Sequence, residues 1–237
     1  MPPRTEKVFL HAQWKHLAML NYEVEPSLLS PLIPSGTELD NWNATTYLSV
    51  VGFLFLRTRV YGIPLPFHRN FEEVNLRFYV KRKSDEGWRR GVVFVKELVP
   101  GRATAFLARV LYNENYAALP MKHRIDSDSV LYAWKFRGEE NHLRVAGLGD
   151  PVIPKQGSRE EFIAEHYWGY AKQKDGTTME YHVEHPRWKV RNAAEAALKC
   201  DGKNLYGERF VEALRDAPDF SFVAEGSEVK VYKGQKI

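Results

Sequence analysis

The sequence predicts an α+β fold dominated by β structure: a curved antiparallel sheet closed, or nearly closed, into a barrel, with a few short helices. Three observations carry this. Runs of β-branched and aromatic residues of strand length recur along the chain, one at strict two-residue alternation. Tight-turn signals separate them, with Asp175-Gly176 the strongest. Helical periodicity is confined to brief stretches, and so many strands in one open sheet would curl upon themselves. The 237 residues hold no Gly/Ser/Pro linker, repeat or composition shift, so one domain over residues 1–237 is expected.

The elements follow in order. The opening MPPRTEKVFLHAQWKH has no continuous apolar run and does not read as a signal peptide. PSLLSPLIP is a proline-bounded helical turn or two. TTYLSVVGFLFLRTRV is apolar on both faces between Tyr47 and Leu56, as a central strand is, and is too short to cross a bilayer as a helix. In FEEVNLRFYVKR, Val74, Leu76, Phe78 and Val80 point one way and Glu73, Asn75, Arg77 and Tyr79 the other. After the SDEG turn, GVVFVKELV returns as its antiparallel partner. RATAFLARVLY reads as a helix ending near Tyr112, NEN as a polar bend, and ALPMKH as the entry to a strand.

Further along, VLYAWKFR and NHLRVAGLG flank the loop GEEN. EHYWGYAKQ and TTMEYHVEH flank KDG. SREEF, with Ser158 and Glu161 three apart, is a capping-box start to a short helix. LYGERFVEALRDAP reads as a helix stopped by Pro218, and FSFVAEGSEVKVYKG as a last hairpin turning at Glu225-Gly226.

Composition narrows the function. The net charge of +4 is small for this length. The one basic cluster, VKRKSDEGWRRGV, is broken by Asp85, Glu86 and Gly87 and reads as a charged hairpin tip, so no nucleic-acid partner is expected. The single Cys200 forbids an internal disulfide and fits a reducing, cytoplasmic setting. No G-x-S-x-G, G-x-G-x-x-G or P-loop is present, so neither a serine nucleophile nor a nucleotide cofactor is indicated. His166, His182, Glu184 and His185 are metal-ligand types, but strand alternation turns His185 away from His182 and Glu184, so no metal site is expected.

The row Glu73, Asn75, Arg77, Tyr79 can line either a wet surface or a barrel interior, and period alone does not choose. A resemblance does. NYEVEPSLLSPLIPSGTELDNWN, YLSVVGFLFLRTRVYGIPLPFHRNFEEVNLRFYV, RRGVVFVKELVP, LYNENYAALPMKH, EEFIAEHYWGY, YHVEHPRW and FVAEGSEVKVYKG together resemble the uncharacterised YqjF-like bacterial proteins. That family is grouped by fold with acetoacetate decarboxylase. The resemblance implies a sheet closed into a cone-like barrel around a central cavity, with the Glu73 row facing it.

Acetoacetate decarboxylase uses Pro-Lys-Lys: the first lysine forms an imine with the keto acid and the second lowers its pKa. The comparable run here is Pro120-Met121-Lys122-His123, which puts Met121 at the nucleophile position, and a methionine forms no imine. Shifting the match by one recovers Lys122 but turns its side chain to the other face. Glu73 resembles the decarboxylase's cavity glutamate, with Glu72 its neighbour.

The expected function is therefore binding of a small carboxylate- or carbonyl-bearing molecule, without cofactor or metal, by Glu73, Asn75, Arg77, Tyr112, Asn113, Glu114 and Trp168. One alternative is a decarboxylase-like lyase with Lys122 as imine former, Glu73 as proton carrier and Arg77 or Arg109 meeting the substrate charge. Another is a structural or assembly protein with no catalytic role. A homo-oligomer is compatible with each, and no membrane partner is expected.

Overall fold

The structure is a computed structural model that describes residues 7–64, 69–101 and 115–237. In chain order its first strands are β1 (Val8–Glu23), β2 (Glu38–Leu39), β3 (Tyr47–Val60), β4 (Ile63–Pro64), β5 (Phe71–Ser84) and β6 (Gly87–Val99). There follow β7 (Tyr116–Ala118), β8 (Met121–Ile125), β9 (Ser129–Phe136) and β10 (Glu139–Gly147). The last are β11 (Trp168–Lys172), β12 (Thr178–Glu184), β13 (Val190–Lys199), β14 (Phe220–Tyr232) and β15 (Gln235–Lys236). The helices are α1 (Pro26–Leu29), α2 (Arg159–Ala164) and α3 (Gly202–Tyr206), with single 3₁₀ turns at Ser30–Leu32 and Glu208–Phe210.

Strands β12, β11, β6, β5, β3, β1 and β14 lie side by side in that order, and β12 also pairs with β14 through Val183–Val231 and Glu184–Lys230. The sheet thus closes into a ring, as the sequence predicts. From β14 the order continues through β13, β10, β9 and β8, a second layer that folds back over the outside of the ring. Two pairings, β11 with β6 and β6 with β7, are parallel, a departure from a wholly antiparallel sheet.

The ring strands bury both faces. Val74, Leu76 and Phe78 of β5 pack outward against Tyr132, Trp134, Leu143 and Val145 of the second layer. That contact needs Gly52: a Cβ there would lie 2.5 Å from the Tyr132 ring. The opposite face holds Met19, Val51, Phe53, Tyr79, Trp188 and Phe222. It shares its neighbours Leu10 and Trp14 with the ring-closing residues Tyr181, Val183 and Val231, so this face is the interior.

Two expectations are corrected. FSFVAEGSEVKVYKG is not a hairpin but one strand, β14. Gly226 there, at φ 74°, admits a close approach instead of a turn: a Cβ would meet the Trp14 carbonyl oxygen at 2.0 Å. The helix expected over LYGERFVEALRDAP is broken because Gly207 sits at φ 109°, ψ 157°, which ends α3 and leaves only the 3₁₀ turn beyond it. β1 went unread because its alternation is interrupted by a bulge, with the pairing to β3 slipping between Lys15 and Ala18 and His16 at φ 56°. The capping box at Ser158 is present: its side chain accepts from Glu161 N, while the Glu161 carboxylate reaches back to Gly157 N. The helix expected in RATAFLARVLY lies outside the described residues. No described helix is long and apolar enough to cross a membrane.

Candidate functional site

The alternation of β5 turns its polar row into the ring. Glu73 is 3% exposed, Asn75 1% and Tyr79 1%, while Arg77 is half-buried. Across the sheet Asn75 stands between Val51 and the buried Glu97, and Arg77 opposite Ser49. Asn75 Nδ2 donates to Glu73 Oε1 at 2.9 Å. Farther along, Ser49 Oγ donates to Asn21 Oδ1 at 2.7 Å, so the Tyr79 hydroxyl, 2.7 Å away, donates to Ser49. The buried Ser49 and Tyr79 hydroxyls thereby each have a partner, as burial demands.

Arg77 is different. Among the described residues it pairs with no carboxylate, and its Nε is buried without a hydrogen-bond partner. The guanidinium makes only a long 4.0 Å contact to Met19 Sδ and lies 5.7 Å from the Tyr79 ring centre. An uncompensated, partly desolvated cation is costly, and an anion placed beside it relieves the cost.

Two histidines stand close to it. Asp40, just beyond β2, accepts from Arg90 Nε at 2.6 Å and from His166 Nε2 at 3.1 Å. Burial alone would raise the Asp40 pKa, but the bonds and charges of His166 and Arg90 outweigh it and hold the carboxylate below its ordinary range. The His166 ring lies 4.7 Å from Tyr79 and 5.1 Å from Phe162. His185 stacks at 4.0 Å on Trp188, lies 4.6 Å from Tyr167 and is 3.0 Å from the Pro186 carbonyl, to which Nδ1 donates. Burial pushes both histidines down to about 4, and the nearby Arg77 charge adds to the effect in each. At neutral pH the two histidines beside Arg77 are therefore uncharged, and aromatic rings border them.

The other candidates scatter. Lys122 is 65% exposed on edge strand β8, with Nζ 2.8 Å from Glu140 Oε1. It does not meet the Glu73 row. Met121 packs on the outer cluster and His123 Nδ1 lies 2.6 Å from Glu72, on the opposite face of β5 from Glu73. Lys122→Ala is expected to change stability by less than about 0.5 kcal/mol and to leave ligand binding unaltered, as urea unfolding and calorimetric titration will show. Trp168, expected at the ligand, instead packs against the outer cluster with the Arg89 guanidinium 4.2 Å over its ring and His182 at 4.8 Å. On β11 successive side chains take opposite faces, and Trp168 takes the outer one. Arg109, Tyr112, Asn113 and Glu114 lie outside the described residues.

The histidine-glutamate group is dispersed as well. His182 stacks on Tyr232, Glu184 bonds Lys230 and the Tyr232 hydroxyl, and His185 and His166 turn to separate partners. Among the described residues no group of three metal-ligating side chains could hold an ion. Asp40 had no signal in the sequence: it sits in an irregular stretch and meets His166 across 126 residues.

Solved structures with this architecture include acetoacetate decarboxylase from Legionella pneumophila, at TM-score 0.68 and 12% identity over 100% of this chain and 92% of that one. The enduracididine biosynthesis enzyme MppR complexed with pyruvate superposes at TM-score 0.69 and 11% identity, over 96% and 90% of the two chains. In sequence, the uncharacterized protein YqjF of Bacillus subtilis (strain 168) is 26% identical over 184 residues, 76% of this chain and 74% of that protein. The ring, the second layer and the inward row on β5 thus sit on an acetoacetate decarboxylase-like fold, and a match over residues 11–228 makes the chain a member of the DUF2071 family, described as an uncharacterized conserved protein.

Proposed function

We propose that the chain binds a small carboxylate-bearing molecule within the ring of strands, with Arg77 as its charge partner. The supporting observation is the guanidinium itself: half-buried, unpaired among the described residues, and bordered by aromatic rings and histidines held neutral. A fold that buried such a group without a use for it would forfeit stability. MppR, of similar fold, is complexed with pyruvate. An imine route through Lys122 draws no support from a side chain that is 65% exposed and bonded to Glu140. The reading is non-covalent binding.

Calorimetric titration with pyruvate, benzoate and their uncharged amides tests it. The acids are expected to bind and the amides to bind at least tenfold more weakly. Arg77→Met, which keeps the stem and removes the charge, is expected to weaken the acids by about 1.5–3 kcal/mol, roughly ten- to hundredfold. Equal binding of acids and amides, or an unaffected Met variant, disproves the assignment.

A further inference from the structure

Among the described residues, two buried acceptor atoms near Arg77 meet no donor. Asn75 precedes it by two residues on the same face of β5, roughly 7 Å along the strand. Its Nδ2 is committed to Glu73 Oε1, which fixes the amide orientation and leaves Oδ1 as an acceptor. That oxygen is buried and without a partner among the described residues. Tyr79 follows Arg77 by two residues, and His166 lies against its ring.

Asp40, charged and engaged by Arg90, can only accept, so His166 Nε2 carries the hydrogen. The neutral ring then presents a bare lone pair at Nδ1, which is also buried and unpartnered among the described residues. Most buried polar atoms are paired, and these two unpartnered acceptors belong to residues that border the unpaired cation, Asn75 two positions from it on the strand and His166 against the Tyr79 ring.

Resting on the reading of Arg77 as the anion partner, we infer that the ligand is a hydroxy acid: a carboxylate for Arg77 and, beside it, a hydroxyl that donates to Asn75 Oδ1 or His166 Nδ1. A keto acid of the same size offers the site only a further acceptor. It leaves both lone pairs unmet and sets its carbonyl oxygen against them. Sites built to take a hydrogen bond discriminate strongly against an analogue that lacks it.

The test compares acids matched in shape: lactate with pyruvate, and phenyllactate with phenylpyruvate, by calorimetric titration of the full chain. The hydroxy acid of each pair is expected to bind at least tenfold more tightly. Because a hydroxyl has one hydrogen to donate, the preference is expected to shrink at least threefold in one of Asn75→Leu, which keeps the volume and removes the acceptor, and His166→Phe, whichever removes the acceptor it uses. An unchanged preference in both overturns the inference. Keto acids that bind as well as the hydroxy acids overturn this inference while leaving Arg77 as a carboxylate partner. Binding of none of the four acids overturns both. Should a variant fail to fold, the wild-type comparison still decides.

Discussion

Glu180→Ala is expected to cost about 3–5 kcal/mol of folding stability, the range seen when one partner of a buried ion pair is removed. Glu180, on β12, is 1% exposed, and its two oxygens are held by Arg89 Nη1 at 2.6 Å and Arg82 Nη1 at 3.0 Å. These arginines belong to β5 and β6, so the carboxylate ties the ring-closing strand to the two strands that flank the candidate site. Removing it leaves Arg82 without that counter-charge and Arg89 with only the exposed Glu86, 3.1 Å away. Glu180→Gln keeps the shape and one acceptor oxygen, and is expected to lose roughly half as much. Urea unfolding at neutral pH measures both. A loss below about 1 kcal/mol for the alanine variant would mean that water already compensates the two arginines.

The same arginines show what could be read from the chain and what could not. VKRKSDEGWRRGV was legible as a hairpin tip, and it is one: Ser84 pairs with Gly87 and Trp88 is half exposed. That Arg82 and Arg89 converge on a carboxylate 98 and 91 residues away was not legible, because no local period records it. The polar row of β5 was legible for the opposite reason. Its period is two, and hydrophobic residues on the other face had to find a core.

The positive φ at Gly226 and the bulge at His16 were not legible because each is a local exception to the period, made necessary by where another strand lies. Arg77 was named from the alternation. The Asp40–His166 bond beside it joins two irregular segments and was not. For Trp168 the strand was right and the face wrong, since parity in EHYWGY does not reveal which residue enters the ring. His185, weighed only as a metal ligand, proves to be part of the stacked aromatic wall.

Stability is expected to fall as the pH drops from 6.5 toward 4, and buried histidines set that window. In the unfolded chain His166 and His185 take up a proton near 6.5, whereas in the folded protein burial holds each at about 4. Between those values the unfolded state binds more protons, so acidification favours it, by about 1.4 kcal/mol per pH unit for each histidine. The full interval amounts to about 3 kcal/mol apiece, a large share of the 5–15 kcal/mol typical of a domain. His16, also lowered chiefly by burial, acts in the same direction. Asp40 enters only later: its folded pKa lies below 3.8, so its contribution is intact through this window and disappears at lower pH. Urea midpoints at pH 7.0, 5.5 and 4.5 are expected to decline with a steepening slope. His185→Phe, which retains the stack between Tyr167 and Trp188, is expected to remove close to half of that slope. A flat profile from pH 7.0 to 4.5 would mean that both imidazoles reach water in the folded state. The wall around Arg77 could then carry charge, and the electrostatic case for an anion there would have to rest on more than one cation.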